Sequence, residues 1–227
     1  MGLRRKLNED SYLERSEAGL FVVADGMGGH EAGEVASRMI VERLGSIEAD
    51  SGLSARVDRA VAALGDVNAD LIDLAHQKEG KHTIGSTVVG LAFGQGAFEC
   101  FWAGDSRAYR LHDRKLTQIS RDHSLVNDLV SAGMLKPEEA EHHPDANVIT
   151  RAVGAAETLK VERVMGEAHQ GDLFLLASDG LTRVVPDAEL EEDLIRKNPM
   201  QAADGFIEKV LDRGAPDNVT LIIVRVG

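Results

Sequence analysis

Leu20-Phe21-Val22-Val23-Ala24-Asp25-Gly26-Met27-Gly28-Gly29 is the stretch on which the reading of this chain turns. Residues 20–24 are uniformly apolar and β-branched or aromatic at three positions, which reads as a strand buried on both faces. The glycines that follow read as a tight turn that ends it. Between the two sits Asp25. A carboxylate at the rim of a buried strand is poorly solvated, so it calls for a proton, a cation or several hydrogen bonds.

Working outward, the same arrangement recurs. Asp105 follows Phe101-Trp102-Ala103-Gly104, Asp179 follows Phe174-Leu175-Leu176-Ala177-Ser178, and Asp217 with Asn218 leads into Val219-Thr220-Leu221-Ile222-Ile223-Val224. Gly26, Gly104 and Gly180 flank three of these acids and let backbone approach closely. One Asp-Gly pair is ordinarily a turn. Four strand-end acids fit four unrelated turns less easily, though a linear sequence does not establish that they converge. If they do, hard oxygen donors without a Cys/His cluster select magnesium or manganese over zinc. Two such ions, about 3.5–4 Å apart, would activate a water and clamp phosphate oxygens.

The surrounding pattern is α+β. Helical spacing of Val35, Met39, Ile40, Leu44 and Ile47, and of Val57, Val61, Leu64, Leu71 and Leu74, predicts two helices after the glycine turn. Short strands are predicted at 86–93, 97–103, 107–112 and 116–119, joined by hairpin-like turns at 94–96 and 112–115. Residues 124–146 turn polar and helical, with a helix start at Pro137. Strands return at about 159–168, 173–177 and 219–226, with helices at about 188–197 and 199–213 between the last two. Tight turns imply antiparallel pairing, and paired helices imply layers covering a sheet or sandwich. Without repeat, low-complexity stretch or linker, 1–227 reads as a single domain.

Composition narrows the function classes. A net charge of -13 argues against nucleic acid and anionic membrane as partners, since both reward basic patches. The same acidity sits awkwardly with phosphorylated substrates unless divalent cations cover some carboxylates and invert the local field. Acidity for solubility alone is the plainer alternative. The single cysteine, the strand-sized apolar runs and an N-terminus with basic residues but no apolar stretch predict a soluble, cytoplasmic protein. Two mismatches count against a nucleotide-binding glycine loop: Glu31 stands where the dinucleotide pattern needs its last glycine, and no Gly-Lys-Ser/Thr loop occurs.

Seven short motifs then fall into a recognisable order: Asn8-Glu9-Asp10, Asp25-Gly26-Met27-Gly28-Gly29-His30, Gly85-Ser86-Thr87, Ala103-Gly104-Asp105-Ser106-Arg107, Asp122-His123-Ser124, Ser178-Asp179-Gly180 and Asp217-Asn218-Val219-Thr220. Together they resemble the bacterial metal-dependent protein serine/threonine phosphatases of the 2C type. The resemblance implies a central β-sandwich of two antiparallel sheets flanked by helix pairs, a four-layer αββα arrangement. It implies that Asp25 bridges two Mn2+ or Mg2+ ions, that the Gly26 carbonyl completes the first site, and that Asp179 and Asp217 hold the second ion. Asp105, with Asp179, resembles the ligands of an optional third ion. Glu9 and Asp10 would order metal-bound waters from behind. Arg5, in the spacing Gly2-x-x-Arg5-x-x-Asn8-Glu9-Asp10, matches the family's phosphate-binding arginine, whose guanidinium grips two phosphate oxygens at once. The implied reaction is direct attack of metal-activated hydroxide on phosphoserine or phosphothreonine, opposing a bacterial serine/threonine kinase. The implied protein is a monomer, and residues 124–146 correspond to the family's variable flap.

Two departures bear on these implications. Family members begin with a further strand and an Asp-x-Gly ahead of the arginine, whereas this sequence begins at Met1-Gly2; either an outer strand is absent or the sequence is trimmed, and both touch the sheet edge and Arg5. Eukaryotic relatives carry a histidine at the Met27 position, proposed there as the general acid, so here the leaving-group proton has to come from elsewhere. A catalytically silent relative that only docks partners would have lost a metal aspartate or Arg5, and none is missing.

Several reactive residues read as structural. Cys100 lies in an apolar strand with no Cys-x5-Arg loop, so it is expected in the core. His142-His143 has no partners at zinc spacing. His30 is equally a helix-start residue or a support for the site, Asp122 and His123 are expected to form a local hydrogen bond, and Ser86 and Thr87 to be buried hydroxyls near the acids.

Overall fold

The computed structural model describes residues 3, 5, 7–28, 32–49, 52–77, 83–140 and 143–227. Met1, Gly2, Gly29, His30, Glu31 and His142, named above, lie outside the described residues. Two antiparallel sheets are stacked between two helical layers, as expected. The larger sheet contains β1 (Asp10–Arg15), β2 (Leu20–Met27), β4 (Val88–Gly94), β5 (Ala97–Ala103) and β8 (Glu162–Glu167) in that spatial order, with the two-residue β3 (Gly85–Ser86) paired to the end of β2. The smaller runs β10 (Leu221–Arg225), β9 (Leu173–Ala177), β6 (Arg107–His112), β7 (Lys115–Gln118). The helices α1 (Ala32–Gly45) and α2 (Leu53–Gln77) cover the larger sheet, and α5 (Asp179–Thr182), α6 (Asp187–Arg196) and α7 (Pro199–Asp212) the smaller.

Strand periodicity builds this layering. In β2, Leu20, Val22 and Ala24 join the core under α1 and α2, while Phe21 and Val23 turn to the opposite sheet. In β9, Leu173, Leu175 and Ala177 pack under α5–α7, while Phe174 and Leu176 meet the other sheet. Both faces of these strands are buried, which is why they read as continuous apolar runs rather than alternating ones. Between the sheets, Phe174 takes the edges of Phe93 and Phe98, with ring centroids 5.1 and 4.8 Å away. Cys100 is fully buried in this middle layer, as expected, and burial pushes its thiol up, away from reactivity.

Differences from the predicted elements have local causes. β2 does not end at Ala24: Gly26 and Met27 continue it by pairing with Ser86 and Gly85. The predicted strand at 86–93 is split at Thr87, whose N–H donates instead to the Asp25 carbonyl. β1 was not predicted; its alternation Ser11, Leu13, Arg15 against Tyr12, Glu14 carries too few apolar residues to signal a strand, and pairing with Leu20–Asp25 of β2 sets it. In α1 the buried stripe is Ala36, Ser37, Ile40 and Leu44, not the Val35–Met39 side, because small residues let the helix lie close to β1 and β2. Asp122 bonds to Arg107 rather than to His123.

The segment 124–146 carries α3 (Leu125–Ser131), capped by the Ser124 hydroxyl, and α4 (Pro137–Ala140). No helix among the described residues is long and apolar enough to cross a membrane.

Candidate metal centre

Asp25 stands in β2 directly opposite Asp10 in β1. Asp179 opens α5 at the end of β9, and Asp217 lies in the loop that leads into β10. Asp105 sits in the turn between β5 and β6, where the chain crosses from one sheet to the other. The four aspartates singled out in the sequence therefore come from both sheets to one end of the sandwich. Asp25, Asp179 and Asp217 line a cleft of about 630 Å3, together with Arg5, Glu9, Gly26 and Met27. A larger hollow of about 1210 Å3 runs between the edge strands β1 and β10, lined largely by side chains such as Tyr12, Phe21, Ile207 and Val224. Its acids, Asp10, Glu14 and Asp204, are not the strand-end set, so the smaller cleft is the candidate site.

Backbone and hydroxyl contacts hold the acids in place. The Asp25 N–H donates to Thr87 Oγ1 (3.2 Å), and its carbonyl accepts from the Ser86 hydroxyl (2.9 Å). Thr87 Oγ1 in turn meets Ser106 Oγ at 2.7 Å, beside Asp105. Ser86 and Thr87 are thus the buried supporting hydroxyls expected of them. Ser178 Oγ donates to Asp10 Oδ2 (2.9 Å) and accepts from the Thr220 N–H (3.0 Å), linking β1, β9 and the approach to β10. The Glu9 N–H donates to Asn218 Oδ1 at 3.0 Å. Gly26 and Gly180 admit no side chain: a Cβ at Gly26 would lie 2.0 Å from the Gly33 carbonyl oxygen, and one at Gly180 1.8 Å from that of Asn218.

Electrostatics then decide what such a cleft can hold. Burial, with Asp10, Asp179 and Asp105 close by, pushes the Asp25 carboxyl well above the ordinary range. Burial also raises Asp179, against the pull of Arg183, and raises Asp10 and Asp105 each to about 6. Glu9 is raised by burial as well. Glu9 Oε1, Asp10 Oδ1 and Asp105 Oδ1 are buried without a hydrogen-bond partner among the described residues. Carboxylates this crowded cannot all remain charged unless cations lie among them. Oxygen donors alone, with no Cys or His, fit Mn2+ or Mg2+. At the mouth, Arg5 Nη2 donates to Asp217 Oδ2 at 2.6 Å, and half of the Arg5 side chain is exposed.

Sequence reasoning missed several cleft residues. Arg183 bridges Asp105 and Asp179, at 2.9 Å from an oxygen of each. Asn147 and Ile149 enter from just beyond the 124–146 segment, and Val184 and Pro216 complete the wall. Arg183 follows Asp179 by four residues, a spacing that becomes a signal only once 179–182 is known to be helical. His123 serves structure, as expected: Nδ1 accepts the Gly104 N–H at 3.1 Å, fixing the turn before Asp105. One other grouping, His112, His169 and Asp172, lies within metal-ligand spacing at the far end of the smaller sheet. Its centre is filled by Arg110, whose Nη2 is 2.6 Å from Asp172 Oδ2 and 2.9 Å from His169 Nδ1.

A four-layer αββα sandwich with carboxylates converging on a cleft at one end is an arrangement suited to a metal-dependent hydrolase. The family model described as protein phosphatase 2C matches residues 4–220, and the chain belongs to that family. The chain is 39% identical over 228 residues to the serine/threonine protein phosphatase PstP of Mycobacterium tuberculosis; the match covers 99% of this chain but 43% of that protein, so the chain spans less than half the length of that relative. Among solved structures, PppA, described as a key regulatory component of T6SS in Pseudomonas aeruginosa, superposes with a TM-score of 0.92 at 43% identity, covering 100% of this chain and 94% of that one. The catalytic domain of PstP in complex with two manganese ions superposes with a TM-score of 0.85 at 36% identity, covering 100% and 95%.

Proposed function

We propose that this chain is a metal-dependent protein serine/threonine phosphatase, which hydrolyses phosphoserine and phosphothreonine in proteins. The observation that carries this reading is the convergence of buried carboxylates with a guanidinium, Arg5, at the mouth of their cleft. Asp25, Asp179 and Asp217, with the Gly26 carbonyl, would hold two Mn2+ or Mg2+ ions, the number of manganese ions in complex with the PstP catalytic domain. When bound, those ions supply an activated water for direct attack on phosphorus and neutralise charge on the phosphoryl oxygens.

The remaining work falls to the chain. Arg5 binds the phosphate by releasing Asp217 and turning its fork to two phosphate oxygens. Glu9 in the cleft wall and Asp10 behind it orient what the aspartates hold through hydrogen bonds. Ser86, Thr87 and Ser178 fix the carboxylates so that no reorganisation is needed during reaction. Residues 1–227 act as one catalytic domain, with 124–146 as a flap whose C-terminal neighbours Asn147 and Ile149 meet the substrate. The partners are phosphorylated proteins of the cytoplasm, including a serine/threonine kinase or its targets, and the protein works as a monomer.

The test is hydrolysis of p-nitrophenyl phosphate and of a phosphothreonine peptide with Mn2+, Mg2+ or EDTA. Turnover should require the metal and vanish in Asp179→Asn. Metal-independent turnover, or full activity in that variant, overturns the proposal.

A further inference from the structure

Asp105 and Asp179 are joined by an atom of the chain itself. One nitrogen, Arg183 Nη2, stands 2.9 Å from Asp105 Oδ2 and 2.9 Å from Asp179 Oδ2. Asp105 is only 6% exposed, and its second oxygen, Oδ1, is buried with no hydrogen-bond partner among the described residues. The two acids reach this point from different sheets, Asp105 from the β5–β6 turn and Asp179 from the end of β9. The Arg183 N–H donates to the Asp179 carbonyl at 2.9 Å, which completes the turn of α5 and keeps the guanidinium tethered one helical turn from Asp179.

We infer that Arg183 is the resident cation of the Asp105–Asp179 pair and excludes a third divalent ion from it. This deepens the proposed function and rests on that reading for the identity of the other two ions. A divalent ion sharing these two carboxylates would need the space now filled by Nη2, so the two cations compete for one position. The competition favours the arginine because its charge is permanent and its local concentration is set by the helix rather than by the medium. Its charge is also delocalised and weakly hydrated, so less solvation is lost on entering the cleft than by a small divalent ion. Asp25 and Asp217 are not contacted by Arg183, which leaves the proposed catalytic pair its own ligands. The position of Arg110 among His112, His169 and Asp172 shows the same chain using a guanidinium to fill a ligand-spaced cluster elsewhere.

The experiment counts bound Mn2+ by calorimetry and by electron paramagnetic resonance in wild type, Arg183→Gln, Asp105→Asn and the double variant. Wild type should bind two ions. Arg183→Gln should gain a third, at least tenfold tighter than any third ion seen in wild type, and the double variant should lose that gain. Equal numbers and affinities in wild type and Arg183→Gln overturn the inference. A metal-free measurement separates it from the phosphatase reading. Without Mn2+, Arg183→Gln leaves Asp105 buried and unpaired, so its Tm should fall by about 4 °C and recover in the double variant. An unchanged Tm overturns the inference even in a protein that binds Mn2+, whereas failure of wild type to bind Mn2+ counts against the proposed function alone.

Discussion

Arg5 and Asp217 stand 212 residues apart in sequence and 2.6 Å apart in space. The proposed phosphate-binding group therefore rests on a proposed metal carboxylate, and taking up a phosphate there would require the two to part. The pair is exposed, 49% and 31% at the side chains, so it contributes little to stability, about 0.5 kcal/mol or less. Arg5→Ala should accordingly fold as wild type does. Steady-state kinetics with p-nitrophenyl phosphate should show KM raised about tenfold with a smaller fall in kcat. An unchanged KM removes Arg5 from substrate binding.

The crowded carboxylates predict a stability that depends on metal. Mn2+ at about 100 times its Kd should stabilise the fold by about 2.7 kcal/mol, which for a chain of this size raises Tm by roughly 5–10 °C. Asp25→Asn removes the residue on which the proposed pair converges, so thermal scans of that variant should be insensitive to Mn2+. A response equal to that of wild type would place the ions elsewhere.

Gly26 is pressed between the Gly33 carbonyl and the Glu9 carbonyl, 2.0 and 2.7 Å from where a Cβ would be. Both obstacles are backbone, so neither can step aside. Gly26→Ala should cost about 3 kcal/mol in urea unfolding and loosen Mn2+ binding, because α1 and the chain before β1 must move. Gly96, at the tip of the β4–β5 hairpin, has nothing within 4 Å of the same position, but its positive φ makes it a matched test of strain without crowding.

Asp172 gives a pH prediction remote from the cleft. Bonds from the His169 N–H, His112 and Arg110 hold its carboxyl below the ordinary range against the opposing effect of burial. A depressed folded pKa means that its contribution is complete above the unfolded value, near 4, and is lost as pH falls through the folded value. Asp172→Asn should therefore cost about 3 kcal/mol at pH 7, with the gap to wild type closing in strong acid, once pH has fallen through the depressed folded value. Equal gaps at both pH values, measured by urea unfolding, would mean that charge is not what Asp172 contributes.

Much of the architecture was legible in sequence because strands buried on both faces leave unbroken apolar runs. β5, β6 and β9 carry the predicted bounds of 97–103, 107–112 and 173–177. β1 was not legible: its only apolar inward residue is Leu13, and its register comes from β2 rather than from its own pattern. The split at Thr87 was hidden for a related reason, since a side chain and N–H committed to Asp25 leave no trace in a run of β-branched residues. Asp25, Asp105, Asp179 and Asp217 announced themselves by following or preceding apolar strands. Arg183 did not, because an arginine near a helix end is ordinarily a solvated charge, and only the fold brings Asp105 to it.

The crossing at Gly104–Ser106 has one more consequence. Asp25 belongs to the sheet packed on α1 and α2, while Asp179 and Asp217 belong to the sheet packed on α5–α7. Neither half of the sandwich holds all of the proposed ligands, and the acids meet only when the two halves are seated on each other. On that reading a chain with one half folded and the other still open would be inert, however native that half has become. Ions bound across the seam would act as a clasp, making activity itself a report that assembly is complete.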